Sequence, residues 1–191
     1  MKMKNDKAQQ IIVAAAGVFA REGFHKATVE EIARKAGVGK GTVYEYFESK
    51  DDLFRAMIRE GVQLFLKVLA AELACEDGVR AKLIRFVEVS ACFLKEHESQ
   101  ARFIMEDAWG LGKSFCQWMA ETRQELSGLV REIIEEGVKK GELRPVDPDL
   151  VTKVFTGANH ALIVSAFSTG EYPDREMATS LVDLLFQGLQ P

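Results

Sequence analysis

The 191-residue chain is 47% hydrophobic and 28% charged, so it can bury a sizeable core and is neither disordered by composition nor built like a membrane protein. No apolar run reaches the roughly 18–20 residues that a membrane span requires, and the polar stretch Met1–Gln10 carries no signal-peptide core; the expectation is a cytoplasmic protein with no membrane partner. The net charge of −4 is unevenly spread: residues 1–50 hold nine Lys/Arg against six Asp/Glu, and the remainder sixteen against twenty-three. The basic end is therefore the better candidate for a surface that meets phosphate.

Apolar residues recur at spacings of three and four, strand-like alternation is absent, and the four prolines (Pro145, Pro148, Pro173, Pro191) leave residues 1–144 uninterrupted. The pattern predicts an all-α chain of about nine helices. The first spans about Lys7–Glu22, with Ile11, Ala15 and Phe19 on one stripe, and Gly23 is suited to the left-handed conformation that ends it. A second starts at Thr28, where Thr28 and Glu31 form a capping-box pattern, buries Ile32, Ala33 and Ala36, and stops at Gly37. A short third covers about Lys40–Phe47. Ser49 and Asp52 mark the cap of a fourth, about Lys50–Ala74. Two more fit Gly78–Glu96 and Gln100–Trp109. A long one fits Lys113–Lys140, with Lys139, Lys140 and Gly141 as its stop signal. Asp147 and Pro148 open the next, and the last runs from about Pro173 to Gly188.

The segment Thr28–Phe47, TVEEIARKAGVGKGTVYEYF, reads as a helix-turn-helix: a short helix ending in Ala-Gly, a turn at Val38 and Gly39, then a second short helix placed to enter a major groove. On that second helix Val43 and Phe47, four apart, face inward. Gly41, Thr42, Tyr44 and Glu45 then face outward; the glycine, threonine and tyrosine suit close approach to phosphates and base edges, while Glu45, which repels phosphate, either accepts from a cytosine amino group or points away from DNA and pairs with a lysine. Lys40 and Lys50 are placed for phosphate, and Thr28 can offer a hydroxyl and amide groups at a helix N-terminus. Spacing alone leaves open a plain helical hairpin with Tyr44, Tyr46 and Phe47 as an aromatic core patch.

Residues Ile11 to about Phe54 resemble the DNA-binding region of the TetR family. The resemblance rests on Phe19-Ala20-Arg21-Glu22-Gly23-Phe24, Thr28, Ile32-Ala33, Ala36-Gly37-Val38, Gly41-Thr42-Val43-Tyr44, Tyr46-Phe47, and Lys50 ahead of Leu53. It implies that Thr28, Lys40, Gly41, Thr42, Tyr44, Tyr46 and Lys50 occupy positions that touch operator DNA. It also implies a three-helix DNA-binding domain over residues 1–50, followed by a helical ligand-binding and dimerisation domain over 51–191. The implied protein is a homodimeric repressor released from its operator by a small, largely apolar effector.

Support for the second domain comes from the residues as well. The helix from Pro148 to Phe167 carries Val151, Val154, Phe155, Ala158, Ala161, Leu162 and Ala166, and the last helix carries Met177, Leu181, Leu184 and Leu185. Two apolar terminal helices from each subunit fit a four-helix dimer interface over about residues 148–188. The region between is rich in bulky apolar residues, of which Phe103, Trp109 and Trp118 are the candidate ligand contacts. Glu106 and Asp107 interrupt that run and read as an exposed helical face.

Catalytic and metal chemistry find little footing. GVGKGT at Gly37–Thr42 suggests a phosphate-binding loop, but Gly41 follows Lys40 where Ser or Thr is required, and a helix precedes it where a strand should be. His25, His97 and His160 show no metal-ligand spacing, and His160 reads as a core residue. Cys75, Cys92 and Cys116 are widely spaced and read as small buried hydrophobes. The expectation is a binding protein with no enzymatic activity, no metal and no cofactor.

Overall fold

The structure, a computed structural model, describes residues 2–107 and 112–187, and side chains over 6–102 and 112–187. Among the described residues there is no strand, and nine helices follow in order: α1 Lys2–Lys26, α2 Val29–Ala36, α3 Lys40–Tyr46, α4 Lys50–Ala74, α5 Val79–Glu96, α6 Glu98–Asp107, α7 Lys113–Lys140, α8 Pro148–Thr169 and α9 Arg175–Gln187. The all-α expectation holds. The bounds of α4 and α7 fall where their end signals put them, because each end carries its own local chemistry. Ser49 Oγ accepts from the Asp52 amide at 3.1 Å, and Asp52 Oδ2 accepts in turn from the Glu48 amide at 3.2 Å. Gly141, at φ 75°, takes the chain out of α7. At α8, Asp147 Oδ1 accepts from the amides of Asp149 (2.9 Å) and Leu150 (3.4 Å), with Pro148 in the first turn.

The chain divides into two compact units, Met1–Leu64 with His97–Cys116 and Phe65–Glu96 with Gln117–Pro191. In the first unit α1 packs against α2 and α6, and α2 against α3. Its core is small and aromatic at the centre. Phe19, Phe24 and Phe54 meet with centroids 4.9–5.8 Å apart, two of the three contacts edge-on, the geometry that aromatic quadrupoles prefer. Ile11, Ala15, Ile32, Val43 and Leu53 close around them, all fully buried or nearly so. The second unit buries a larger aliphatic core from α5, α7, α8, α9 and the end of α4, including Leu69, Leu83, Ile134, Phe155 and Val182. Phe86 and Phe155 pack edge to face at 5.5 Å within it.

Several sequence expectations need correction. His160 is exposed rather than core, because the buried stripe of α8 runs through Val151, Phe155, Ile163 and Ala166 and leaves position 160 on the opposite side. Cys75 and Cys92 are exposed and Cys116 is half-buried, so none is the small buried hydrophobe expected. The capping box at α2 is half-formed: Thr28 Oγ1 accepts from the Glu31 amide at 3.3 Å, but the Glu31 carboxylate goes to Arg21 on α1. Helix α1 begins earlier than expected. Gly23 (φ 74°, ψ 165°) breaks it before a last turn, a conformation a β-carbon would strain. Finally, α8 is long and apolar enough by length and composition to cross a membrane, with a mean hydropathy of 1.2 over 18 residues. Interleaved Thr, Ser, Gly and Asn hide this from a search for unbroken apolar runs; the helix buries one stripe through Val151, Phe155, Ile163 and Ala166 and leaves Lys153 and His160 exposed.

Candidate DNA-binding site

The turn between α2 and α3 is built by Gly37. At φ 68° and ψ 28° it ends α2 in the left-handed region, its amide bonding back to Arg34 at 3.2 Å while the next amide, of Val38, reaches Ala33 at 3.0 Å. This pair of bonds is a Schellman stop, and it turns the chain sharply enough for α3 to start only three residues later. Val43 and Phe47 anchor α3 in the first unit's core, at 1% and 7% exposure. With those two fixed, the helical period sends Gly41, Tyr44 and Glu45 outward, and all three are exposed, Tyr44 at 47%. Thr42 and Tyr46 are half-buried at the flanks. The aromatic-patch alternative fails here, since the Tyr44 ring stands in solvent.

Charge on this face is already paired. The Lys40 ammonium meets the Glu30 carboxylate of α2 and lies 6.0 Å from the Tyr44 ring centroid. The hydrogen bond that Lys40 donates to the Glu30 carboxylate raises the lysine above its usual value, and the same bond lowers Glu30. Next to it, Arg21 of α1 bridges Glu22 at 2.7 Å and Glu31, with Arg34 at 3.8 Å from Glu31. Glu30 and Glu31 stand in the first turn of α2, the favourable end of its dipole. The cations Arg21, Arg34 and Lys40 are exposed while Glu22 and Glu31 are half-buried, so a phosphate can compete for the cations at small cost.

The predicted site residues thus fall into two groups. Thr28, exposed at the N-terminus of α2, shares the first unit with Lys40, Gly41, Thr42, Tyr44 and Tyr46, which follow one another along α3. Lys50 is different: its ammonium donates to the carbonyls of Phe24 (2.8 Å), Ala27 (3.2 Å) and His25 (3.3 Å), at the corner between α1 and α2. The sequence reading missed this role, and missed Glu30 as the partner of Lys40. No signal would have found Glu30, since ten residues separate the pair and only the docking of α3 beside α2 brings them together. Trp109 and the Phe103 side chain lie outside the described residues, as do the side chains of Glu106 and Asp107. Trp118 is half-buried on α7, its carbonyl accepting from the Thr122 hydroxyl at 3.0 Å.

Comparison with known proteins agrees with this geometry. Residues 11–57 match the model of bacterial regulatory proteins of the tetR family, and residues 76–189 match a tetracyclin repressor-like C-terminal domain. The "Fatty acid metabolism regulator protein" of Bacillus subtilis is 25% identical over 191 residues, covering 99% of this chain and 98% of its own. Two solved structures show the same fold. A TetR-family regulator from Mesorhizobium loti has a TM-score of 0.84 at 20% identity and 98% coverage of both chains. FadR from Bacillus subtilis, solved in complex with stearoyl-CoA, has a TM-score of 0.77 at 24% identity, covering 94% of this chain and 98% of its own. The stop at Gly37, the anchored α3 with its outward Gly41 and Tyr44, and two family models that together span most of the sequence lead to one assignment: the chain belongs to the TetR family and is a DNA-binding transcriptional regulator.

Proposed function

We propose that this regulator is a homodimeric repressor released from its operator by a fatty acyl-CoA thioester. The observation that carries the DNA half is the outward face of α3, where Tyr44 and Gly41 stand free of the core that Val43 and Phe47 enter. Thr28, Lys40, Thr42 and Tyr46 complete the contact surface, with Lys40 exchanging Glu30 for a phosphate. Residues 1–50 serve as the reader and 51–191 as the sensor and dimerisation region, acting by binding rather than catalysis, in the cytoplasm.

Exposed apolar side chains support the dimer. Leu150 and Val154 on α8 and Met177 and Leu184 on α9 are 39–69% exposed, an arrangement that a second copy of the same two helices would cover. Two readers held this way meet half-sites about 34–36 Å apart, and an effector that changes that separation weakens binding without touching the DNA face. The acyl-CoA reading draws on the full-length likeness to the fatty acid regulator of Bacillus subtilis and on the two structural neighbours solved with stearoyl-CoA and isovaleryl coenzyme A. A largely apolar sensor suits an acyl chain, with Phe103, Trp109 and Trp118 as its expected contacts.

The test is a mobility-shift titration of the purified protein on its own upstream region across a salt series, with sedimentation to fix the stoichiometry. The expected result is sequence-specific, steeply salt-dependent binding of a dimer, relieved by stearoyl-CoA but not by free coenzyme A. Binding no tighter than to random DNA would count against the upstream operator, and release by a chemically unrelated ligand would overturn the acyl-CoA assignment.

A further inference from the structure

Lys50, the first residue of α4, occupies a position that the family resemblance assigns to DNA contact, yet its ammonium is already saturated. A lysine ammonium has three N–H donors and no acceptor. Here three carbonyl oxygens, of Phe24, His25 and Ala27, lie 2.8–3.3 Å from Nζ, one for each donor. The Phe24 ring packs beside the ammonium, its centroid 4.5 Å from Nζ. These carbonyls belong to the last turn of α1 and the corner that follows it, where helical acceptors lack partners in their own helix and the dipole is negative. The Gly23 break interrupts α1 just ahead of that turn. Phe24 is held in turn by Phe19 and Phe54, and the Ala27 amide bonds the Gly23 carbonyl at 3.2 Å. The corner is therefore tied on both sides, and the residue after it is Thr28, the cap of α2.

We propose that Lys50 is a positioning residue rather than a phosphate contact: it pins the α1–α2 corner to the start of α4 and so fixes where the N-terminus of α2, with Thr28, meets DNA. The proposal rests on the reading of Thr28 as a DNA contact. It differs from a phosphate role in one measurable respect. A lysine that meets phosphate releases a counterion and steepens the salt dependence of binding, whereas one that holds the protein's own carbonyls does not.

The experiment uses full-length protein and a duplex enriched from a randomised pool by the unaltered protein. Affinity is measured over a salt series for the unaltered protein, Lys50→Met, Thr28→Val and the double variant. Lys50→Met should weaken binding about tenfold at every salt concentration with an unchanged slope, and the double variant should lose much less than the product of the single losses, because both act at one helix end. A slope shallower by about 0.9 per protomer would overturn the proposal in favour of a direct phosphate contact. Purely multiplicative losses would overturn it in favour of general destabilisation. If Lys50→Met does not fold, nitrogen-detected spectra of the lysine ammonium groups in the unaltered protein decide instead: the Lys50 signal should be protected from exchange and unmoved by the duplex, and a large shift on adding DNA would overturn the proposal. Failure of the unaltered protein to enrich any duplex would strike the Thr28 reading itself, a result distinct from all of these.

Discussion

The two units of this regulator use helices in opposite ways. In the first, a small core locks short helices in place so that a few side chains can stand in solvent; Tyr44 is exposed because Val43 and Phe47 are not. In the second, the apolar residues fill a broad interior and spill onto the surface at Leu150, Val154, Met177 and Leu184. On the proposed function the difference follows from the partners each unit would meet. DNA offers phosphates at fixed spacing along a rigid groove, so a reader must present fixed residue types at fixed positions. An apolar effector and a dimer interface ask only for shape and apolar area, which many sequences supply.

The comparison is sharpened most by attacking the two cores and faces separately. The largest expected effect is on stability. Phe155→Ala empties a fully buried position packed edge to face on Phe86 and should lower the unfolding free energy by about 3–5 kcal/mol, read by urea denaturation. A loss under about 1 kcal/mol would mean that the second unit relaxes freely around the gap. Tyr44→Ala should do the reverse. It should leave the melting temperature nearly unchanged and weaken operator binding by about 1–3 kcal/mol, the ordinary worth of one good contact. Equal affinity before and after the change would remove Tyr44 from the reader.

Helix glycines give a finer contrast inside the second unit. Both Gly128 and Gly137 lie in α7, where alanine normally stabilises by reducing the freedom of the unfolded chain. A β-carbon at Gly128 meets nothing within 4 Å, so Gly128→Ala should gain about 0.5–1 kcal/mol. A β-carbon at Gly137 would lie 2.2 Å from Val79 Cγ2 and 3.2 Å from Leu143 Cδ1, and its carbonyl already accepts from the amides of Glu142 and Leu143. Gly137→Ala should therefore cost about 1–3 kcal/mol as overpacking. Thermal melts of the two variants moving in the same direction would contradict this close approach of the α5 start to α7.

The sequence was most informative where local chemistry decides structure. Ser49 and Asp52 at α4, Asp147 at α8, and Gly37 and Gly141 all act within a few residues of themselves, and the helix ends followed them. The outward face of α3 followed from two apolar residues four apart. What escaped was decided by distant partners. The three carbonyls around Lys50 lie 23–26 residues away, and the Glu30–Lys40 pair spans two helices. His160 was misplaced because a predominantly apolar helix does not reveal from its own composition which side packs inward, and Cys75 falls in the turn just past the end of α4, outside any packed stripe. The apolar wealth of the second unit likewise identifies a core before it identifies a ligand, and Trp118 on α7 is half-buried.

The smallest expected change lies in the reader and separates stability from function at one atom. Gly41 is exposed in the first turn of α3, and a β-carbon there meets nothing within 4 Å. On folding grounds alone, Gly41→Ala should be neutral or stabilising by up to about 1 kcal/mol, a rise of a few degrees at most in the melting temperature. If the α3 backbone approaches phosphate or a base edge as closely as the glycine permits, the added methyl group takes up the space that the DNA occupies. The variant should then melt slightly higher and bind its operator several-fold more weakly, with an unchanged salt slope because no cation is lost. Higher stability with full affinity would show that the DNA passes at a distance from position 41, and would shift the weight of recognition onto Thr42 and Tyr44.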